Sequence, residues 1–229
     1  SPYDSGSYAS ATTYATGNAV LKACSMLREK IQAFGAGMLE LPVEDTRFDG
    51  VCVTGQGRQV SLTEIAVQAT CGNVQELQAT ASFSSMISPP PYMAGLAEVE
   101  IDPETGSVEV TDYVAVVDCG TPVNPNLARV QTEGGIVQGI GMALTEEVQY
   151  TDTGRIRNNS FMQYKIPSRM DVGQIRVEFE SSYEQSGPFG AKSIGELVID
   201  TPCPAIADAV YNAVGVRIRE LPITPEKIA

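Results

Sequence analysis

The carboxylate best placed for chemistry in this sequence closes a short glycine-containing loop. The loop reads Gly190-Ala191-Lys192-Ser193-Ile194-Gly195-Glu196 and is followed at once by the apolar residues 197–199. Its glycines, with Gly187 just before them, predict a bent backbone that comes close to a large neighbour. Desolvation beside the apolar residues would raise the pKa of Glu196 and make it a candidate general base at neutral pH. A surface loop with an acidic residue at a helix start is the alternative interpretation.

The absence of histidine from all 229 residues limits the chemistry open to this chain. Histidine-dependent triads, histidine-ligated haem and most zinc hydrolases are excluded, so acid–base chemistry must use Glu, Asp, Lys or Tyr. The net charge of −13 argues against partners that are nucleic acids or anionic membrane surfaces. No apolar stretch approaches the roughly 18 residues of a membrane span, so we expect none.

Five cysteines are widely spaced, at Cys24, Cys52, Cys71, Cys119 and Cys203. Iron–sulfur clusters and structural zinc sites need clustered thiolates, so we expect this chain to hold neither by itself. An odd number of scattered cysteines is typical of free thiols in a reducing compartment, which predicts a cytoplasmic protein.

The pattern of apolar residues predicts an α+β fold, in which mixed sheets and hairpins pack against helices. The hydroxyl-rich residues 7–13 lead into a first helix. Its apolar stripe runs from Val20 to Phe34 at steps of three and four, and Gly35 and Gly37 are interpreted as its stop signals.

Strands are predicted in both halves of the chain. Residues 47–60 predict a β-hairpin, and Ser61-Leu62-Thr63-Glu64 then matches a capping box that begins a short helix. Alternating residues at 97–101 and 108–117, joined by an Asp-Pro-Glu-Thr-Gly turn, predict a second hairpin, and 175–179 predicts a further strand.

Two more helices are predicted, over about residues 127–148 and 204–214. The first of them contains Gly134, Gly135, Gly139 and Gly141. Because glycine costs about 1 kcal/mol in a helix interior, these four residues indicate the close approach of another backbone or a bulky ligand.

Three segments then form a recognisable set: residues 7–13, the glycine-rich helix from 131 to 139, and the 190–196 loop. Their order and spacing resemble the C-terminal half of the molybdenum-binding subunit in the xanthine dehydrogenase/aldehyde oxidoreductase family of molybdenum hydroxylases. The resemblance covers nearly the whole chain and includes Pro89-Pro90-Pro91 and residues 118–125. Any one of these motifs is weak, and their ordered combination carries the resemblance.

The resemblance implies roles for individual residues. Glu196 resembles the base that takes a proton from a molybdenum-bound hydroxyl, and the metal is held through the pterin dithiolene rather than by protein ligands. Tyr8 and Ala9 lie where the family lines the substrate side, although Tyr8 departs from the alanine of purine-type enzymes. The residues expected to bind the cofactor are Ser10, Ala11, Thr12, Thr13, Gln131 and Gly195.

For two further polar residues, a contact with the pterin is one of two interpretations. Gln138, seven residues after Gln131, would contact the pterin or only pack beside it. Lys192 would contact the pterin or pair with an acidic residue. The sequence does not decide between these alternatives.

The resemblance also implies cofactors and partners. We expect molybdenum with molybdopterin in its cytosine dinucleotide form, and 2Fe-2S clusters and FAD on partner subunits. The Gly-Gly-Phe-Gly-Gly-type and Met-Gly-Gln-Gly-type loops of the family are missing, so a second polypeptide is expected to carry the N-terminal half, unless the chain is a fragment. Residues 1–229 are then one molybdopterin-binding C-terminal region, with a division into subdomains near 1–90 and 91–229.

The function implied is oxidation of a C–H bond of a small N-heterocycle of the purine or pyridine type, with oxygen from water. Alternatives within the family are oxidation of an aldehyde, oxidation of carbon monoxide, and chemistry on an aromatic thioester. An alternative from another class is a non-catalytic assembly subunit. In each interpretation as an enzyme, the chain is active only with its partner chains.

Overall fold

The computed structural model describes residues 3, 6–72, 77–180 and 182–228. The chain divides into two compact units. The smaller unit is formed by residues 15–86, and the larger unit by residues 87–229 together with the N-terminal segment up to Tyr14. Each unit combines helices with its own three-stranded sheet, which confirms the predicted α+β class.

The smaller unit is built on a long first helix. Helix α1 spans Thr12–Leu39 and enters this unit at Ala15. Strands β1 (Arg47–Phe48), β2 (Cys52–Gly55) and β3 (Arg58–Ser61) form an antiparallel sheet in that order. Helix α2 (Leu62–Cys71) follows at once and begins with the predicted capping box.

The prediction that Gly35 and Gly37 stop α1 is wrong, because the helix continues to Leu39. Gly35 instead faces the sheet, where an added Cβ would lie 2.6 Å from Cγ2 of Val53. The glycine therefore allows β2 to approach the helix closely. The chain leaves the helix at Glu40, which has a φ of 54°.

Only the later part of the predicted stripe on α1 is buried. Val20 is 53% exposed and Cys24 is also exposed, whereas Ile31 and Leu39 reach the core. The buried apolar cluster of this unit consists of Ile31, Leu39, Phe48, Val53, Val60 and Ile65. The sheet and α2 therefore provide a core only for the C-terminal half of α1.

The larger unit contains a mixed sheet of order β4-β5-β6. Strands β4 (Tyr92–Ile101) and β5 (Val108–Asp118) form the predicted antiparallel hairpin, and β4 begins five residues earlier than predicted. The predicted strand at 175–179 is confirmed as β6 (Gln174–Phe179), and it pairs with β5 in parallel. Helices α3 (Pro125–Leu144) and α4 (Pro202–Val214) pack with this sheet.

The close approach predicted for the four glycines of helix α3 is confirmed at three of them, and Gly134 has no described atom within 4 Å of an added Cβ. Three of its glycines have atoms within van der Waals distance of an added Cβ: Gly135, Gly139 and Gly141. An added Cβ at Gly135 would overlap Cγ2 of Val198, and one at Gly139 would lie 2.6 Å from Cγ of Pro202. For Gly135 and Gly139 the neighbour is the segment that follows Glu196, so these two glycines help to fix where that residue lies, whereas Gly141 faces Glu146 and Pro167.

The core of the larger unit lies between the sheet and the two helices. Its fully buried side chains include Tyr113, Ile136, Ile140, Ile206 and Val210. The Tyr113 hydroxyl lies 2.9 Å from Oγ1 of Thr201, and burial raises the pKa of this tyrosine. Within the described ranges, no helix is both long enough and apolar enough to cross a membrane.

Candidate functional site

The three segments singled out in the sequence meet at one cavity in the larger unit. The cavity has a volume of about 490 Å³ and is lined by residues from positions 7–13, 119–131 and 191–195. The lining includes five residues for which the sequence analysis gave a cofactor contact as an interpretation: Ser10, Thr13, Gln131, Lys192 and Gly195. Residues more than 180 positions apart in sequence are therefore neighbours here.

The N-terminal wall is a tight turn before α1. Ala9 and Ser10 have positive φ values of 47° and 54°, and the N–H of Ala11 donates to the Tyr8 carbonyl at 3.0 Å. Left-handed backbone at non-glycine residues costs about 1–2 kcal/mol each, so the surroundings must hold this turn. Ser10 packs directly on Gly195, where an added Cβ would lie 2.6 Å from the Ser10 hydroxyl oxygen.

A second wall is the first two turns of α3. Asn124 caps this helix, and its Oδ1 accepts from the N–H of Leu127 at 3.1 Å. Asn124, Leu127, Ala128 and Gln131 all line the cavity, at the spacing that places residues on one helix face. Nε2 of Gln131 donates to the Gly195 carbonyl at 3.4 Å, which links this wall to the 190–196 loop.

The cavity therefore lies beside the N-terminal ends of two long helices. Ser10 lies two residues before α1 and Thr13 in its first turn, and Asn124 caps α3 with Leu127 in its first turn. Unpaired N–H groups and the helix dipole make such ends favourable for anions such as phosphate. Hydroxyl and amide side chains at the same place supply further donors and acceptors.

The third wall, the 190–196 loop, is tied to the end of β5. The N–H of Lys192 donates to the Cys119 carbonyl at 2.8 Å, and the N–H of Thr121 donates to the Gly190 carbonyl at 2.7 Å. The Lys192 ammonium lies 2.7 Å from Oδ2 of Asp118. Of the two interpretations of Lys192, pairing with an acidic residue is thus confirmed.

Asp118 is well supplied with hydrogen-bond donors. Its carboxylate accepts from Nζ of Lys192, Oγ of Ser182 and the N–H of Gly120. Burial acts to raise the pKa of Asp118, but these hydrogen bonds and the charge of Lys192 outweigh it and hold that pKa below its usual range.

The expectation that residues 197–199 bury Glu196 is wrong for this chain. Glu196 is exposed and precedes a short 3₁₀ turn, Leu197–Ile199, without capping it through its side chain. Val198 is fully buried against Gly135, so the apolar turn packs on α3 and leaves the carboxylate on the other side. In the part of the chain that the structure describes, Glu196 forms no ion pair.

Other residues discussed above do not line the cavity. Tyr8 is 70% exposed, and Gln138 is exposed farther along α3. The remaining such residues are Ala9, Ala11 and Thr12, which form the turn and the first residue of α1. The roles that the family resemblance implies for these residues remain predictions.

The structure adds residues that had no role in the sequence-based predictions. Cys119, Thr121 and Asn124 line the cavity, and burial raises the pKa of the Cys119 thiol. They belong to the stretch 118–125, which was part of the family resemblance. Their residue types form no motif that would have indicated a chemical role. In the described ranges, no group of three or more His, Cys, Asp or Glu side chains could hold a metal ion.

Comparison with known proteins shows the family to which the chain belongs. Residues 1–173 match the family profile of the molybdopterin cofactor-binding domain. The chain is 39% identical over 230 residues to "Probable hypoxanthine oxidase XdhD" of Escherichia coli (strain K12), covering 99% of this chain and 24% of that protein. The "6-hydroxypseudooxynicotine dehydrogenase complex subunit gamma" of Paenarthrobacter nicotinovorans is 34% identical over 234 residues, covering 97% of this chain and 30% of that protein.

A solved structure gives the same result. Quinoline 2-oxidoreductase from Pseudomonas putida 86 superposes with a TM-score of 0.85 at 31% identity, covering 99% of this chain and 30% of that chain. This chain belongs to the molybdenum-binding subunits of the xanthine dehydrogenase/aldehyde oxidoreductase family. It spans 24–30% of the length of these three relatives.

The cavity fits the cofactor of this family. A molybdopterin has an anionic phosphate and a polar ring edge, and the two helix N-termini and the Gln131 amide suit these groups. Gly195 lets the Ser10 hydroxyl approach the 190–196 loop, because an added Cβ there would lie 2.6 Å from that oxygen. The donor set therefore matches the ligand on chemical grounds.

Proposed function

We propose that this chain is the C-terminal, cofactor-binding portion of a molybdenum hydroxylase that oxidises a C–H bond of an N-heterocycle. The observation that carries the proposal is the meeting of Ser10, Gln131 and Gly195 at one cavity, with Glu196 as the next residue in the chain. A non-catalytic assembly subunit would need neither a cavity into which these hydroxyl and amide groups converge nor a carboxylate beside it.

Each wall of the cavity has a task in this proposal. The phosphate is held by the hydroxyls of Ser10 and Thr13 and by the N-terminal N–H groups of α1. The cofactor is proposed to be the cytosine dinucleotide form. Gln131 holds the pterin edge through the donor and acceptor positions that its bond to Gly195 leaves available. Ala11 and Thr12 shape the turn that presents these groups. When bound, molybdenum with molybdopterin would supply the oxidising centre and the activation of water.

Glu196 acts as the base in this proposal, and a carboxylate oxygen accepts the proton released as the substrate is oxidised. The exposure of Glu196 in this chain means that its burial must come from other parts of the assembly. The matched relatives are three to four times longer than this segment, which supports such a contribution. Tyr8 and Ala9 would line the substrate side next to it.

The partners follow from the same reasoning. Electrons leaving the site need 2Fe-2S and FAD centres, which we assign to partner subunits, and the rest of the molybdenum-binding subunit would complete the cavity. One of the matched relatives is by name the subunit of a complex, which supports a multi-subunit assembly. The scattered thiols support a cytoplasmic location.

The substrate class rests on the relatives. Their names refer to hypoxanthine, to a nicotine derivative and to quinoline, all of them nitrogen heterocycles or close derivatives. An aldehyde is the second candidate from the resemblance. Among the described residues that line the cavity, no charged side chain other than Lys192 offers recognition of a particular substrate.

The test is purification of the native complex, with analysis of molybdenum and pterin and an activity screen using an artificial electron acceptor. We expect close to one molybdenum per chain, and turnover of hypoxanthine, quinoline or nicotine that exceeds turnover of benzaldehyde. A complex without molybdenum would overturn the proposal. A molybdenum-containing complex that oxidises only benzaldehyde would overturn the N-heterocycle assignment alone.

A further inference from the structure

The ion pair between Asp118 and Lys192 is more enclosed than the others in the described chain. The Lys192 side chain is 9% exposed and that of Asp118 is 20% exposed. The pairs Arg176–Asp112 and Arg217–Asp208 have side chains that are between 21% and 64% exposed. A pair removed from water in this way is hard to break, because either charge left alone would lack compensation.

Two further neighbours fix the direction of the Lys192 side chain. Its Nζ donates to the Pro90 carbonyl at 3.2 Å and lies 5.5 Å from the ring centre of Tyr92. Its own N–H donates to the Cys119 carbonyl. The side chain therefore joins the 190–196 loop to the end of β5, to the start of β4 and to the segment before β4.

Asp118 stands outside the cavity, whereas Lys192 lines it. Asp118 also binds Ser182 and the N–H of Gly120, so it is held from several sides. Any effect of Asp118 on chemistry must therefore pass through the residues that it positions. This difference separates a direct role of Lys192 from a role of the pair.

The loop is fixed on both sides of Glu196. On the later side, Val198 is buried against Gly135, and Thr201 bonds the buried Tyr113 hydroxyl. On the earlier side, Lys192 is the only residue of the loop with an ion pair in the described ranges. The exposed carboxylate therefore lies between the packed turn after it and an earlier half of the loop that is held by the Lys192 ion pair together with the Gln131 bond to Gly195.

We propose that the Asp118–Lys192 ion pair positions the segment Gly195–Glu196 for proton transfer, so that Asp118 is a positioning residue for the reaction. The inference rests on the proposed function, because it takes Glu196 as the base. Lys192 holds the earlier half of the loop against β5, and the packed 3₁₀ turn holds the later half. Displacement of a reacting group by about 1 Å can reduce a rate by about 100-fold, so a loosened loop should affect turnover strongly.

The experiment compares variants in the assembled, cofactor-containing complex. Asp118→Asn removes the charge of the carboxylate, Lys192→Arg keeps the positive charge, and the double variant Asp118→Asn/Lys192→Met removes both charges. Asp112→Asn is the matched control, because Asp112 lies on β5 like Asp118 and its exposed ion pair is with Arg176 of β6. The measurements are kcat, KM, molybdenum and pterin content, and hydrogen–deuterium exchange of peptides covering residues 190–196.

We expect Asp118→Asn to lower kcat by about 10- to 100-fold, with KM and cofactor content changed by less than about twofold. Lys192→Arg should retain most of the turnover. The kcat of the double variant should be within about threefold of the kcat of Asp118→Asn, because the pair acts as one unit. Amide exchange in the 190–196 loop should become about tenfold faster in Asp118→Asn and stay unchanged in Asp112→Asn.

Asp118→Asn with kcat and loop exchange like those of Asp112→Asn would overturn the inference. Loss of cofactor in proportion to turnover would also overturn it, because the pair would then serve cofactor binding instead. If Asp118→Asn fails to assemble, Asp118→Glu keeps the charge but shifts it by one methylene group, and it should lower kcat by less than about tenfold with cofactor retained and with faster exchange in the 190–196 loop. A complex in which Glu196→Gln is inactive and Asp118→Asn is fully active refutes the positioning role alone, whereas full activity of Glu196→Gln refutes the proposed base.

Discussion

Lys192 and Glu196 lie four residues apart in one loop and have opposite surroundings. Lys192 is enclosed and paired, whereas Glu196 is exposed, although it is followed by apolar residues. Both environments follow from packing on β5 and α3, which are distant in sequence. At the scale of single residues, the loop thus stabilises its cation and leaves its carboxylate available.

Asp118 gives a pH-dependent contribution to stability. Its pKa is lowered in the folded chain, so the folded state is favoured while the carboxylate is ionised. This contribution is present above the ordinary value of 3.8 and is lost as the pH falls below it towards the folded-state pKa.

We therefore expect Asp118→Asn to be less stable than the unaltered chain near pH 7, with a difference that shrinks as the pH falls below about 4. Urea unfolding of both proteins between pH 7 and pH 3 measures this. A difference in stability that stays constant over this range would contradict the assignment of the ionised carboxylate to the pair.

At the scale of elements, α3 and the turn after Glu196 form one packed unit. Gly135 allows Val198 to sit against the helix, and Gly139 allows Pro202 to do so. Gly134, next to Gly135 in the same helix, has no described atom within 4 Å of an added Cβ. The two neighbouring glycines therefore offer a matched pair of substitutions.

We expect Gly135→Ala to lower the free energy of unfolding by about 1–3 kcal/mol, because the new methyl group overlaps Val198. Gly134→Ala should raise it by up to about 1 kcal/mol, since alanine favours a helix and meets no neighbour among the described residues. Chemical denaturation of the two variants and the unaltered chain measures both. Equal effects from the two substitutions would show that helix propensity, and not the packing of Val198, determines the change in the free energy of unfolding.

Local signals in the sequence predicted several elements well. The capping box at Ser61, the hairpin of β4 and β5, and the close packing of the glycine-rich helix are each set by neighbouring residues or by repeated spacing. The predicted end of α1 was wrong, since Gly35 serves the approach of Val53 and not a helix stop. A glycine has the same local signal in both roles, and only the tertiary neighbour distinguishes them.

In the molecule as a whole, the family resemblance predicted candidate site residues, and tertiary contacts bring several of them to one cavity. It singled out Ser10, Gln131 and Gly195, which meet at the cavity. It assigned no role to Cys119 or Thr121, because their place depends on the pairing of β5 with the 190–196 loop. The parallel pairing of β6 and the exposure of Glu196 likewise depend on contacts between distant segments.

As proposed, Glu196 acts as the base beside a cofactor held by this cavity. The most direct measurement is turnover and molybdopterin content of the assembled complex carrying Glu196→Gln, with Asp200→Asn as a control at a second exposed carboxylate four residues farther on. We predict unchanged molybdenum and pterin with turnover lowered by about 100-fold or more in Glu196→Gln, and normal turnover in Asp200→Asn. Normal turnover of Glu196→Gln with its cofactor in place would contradict the account.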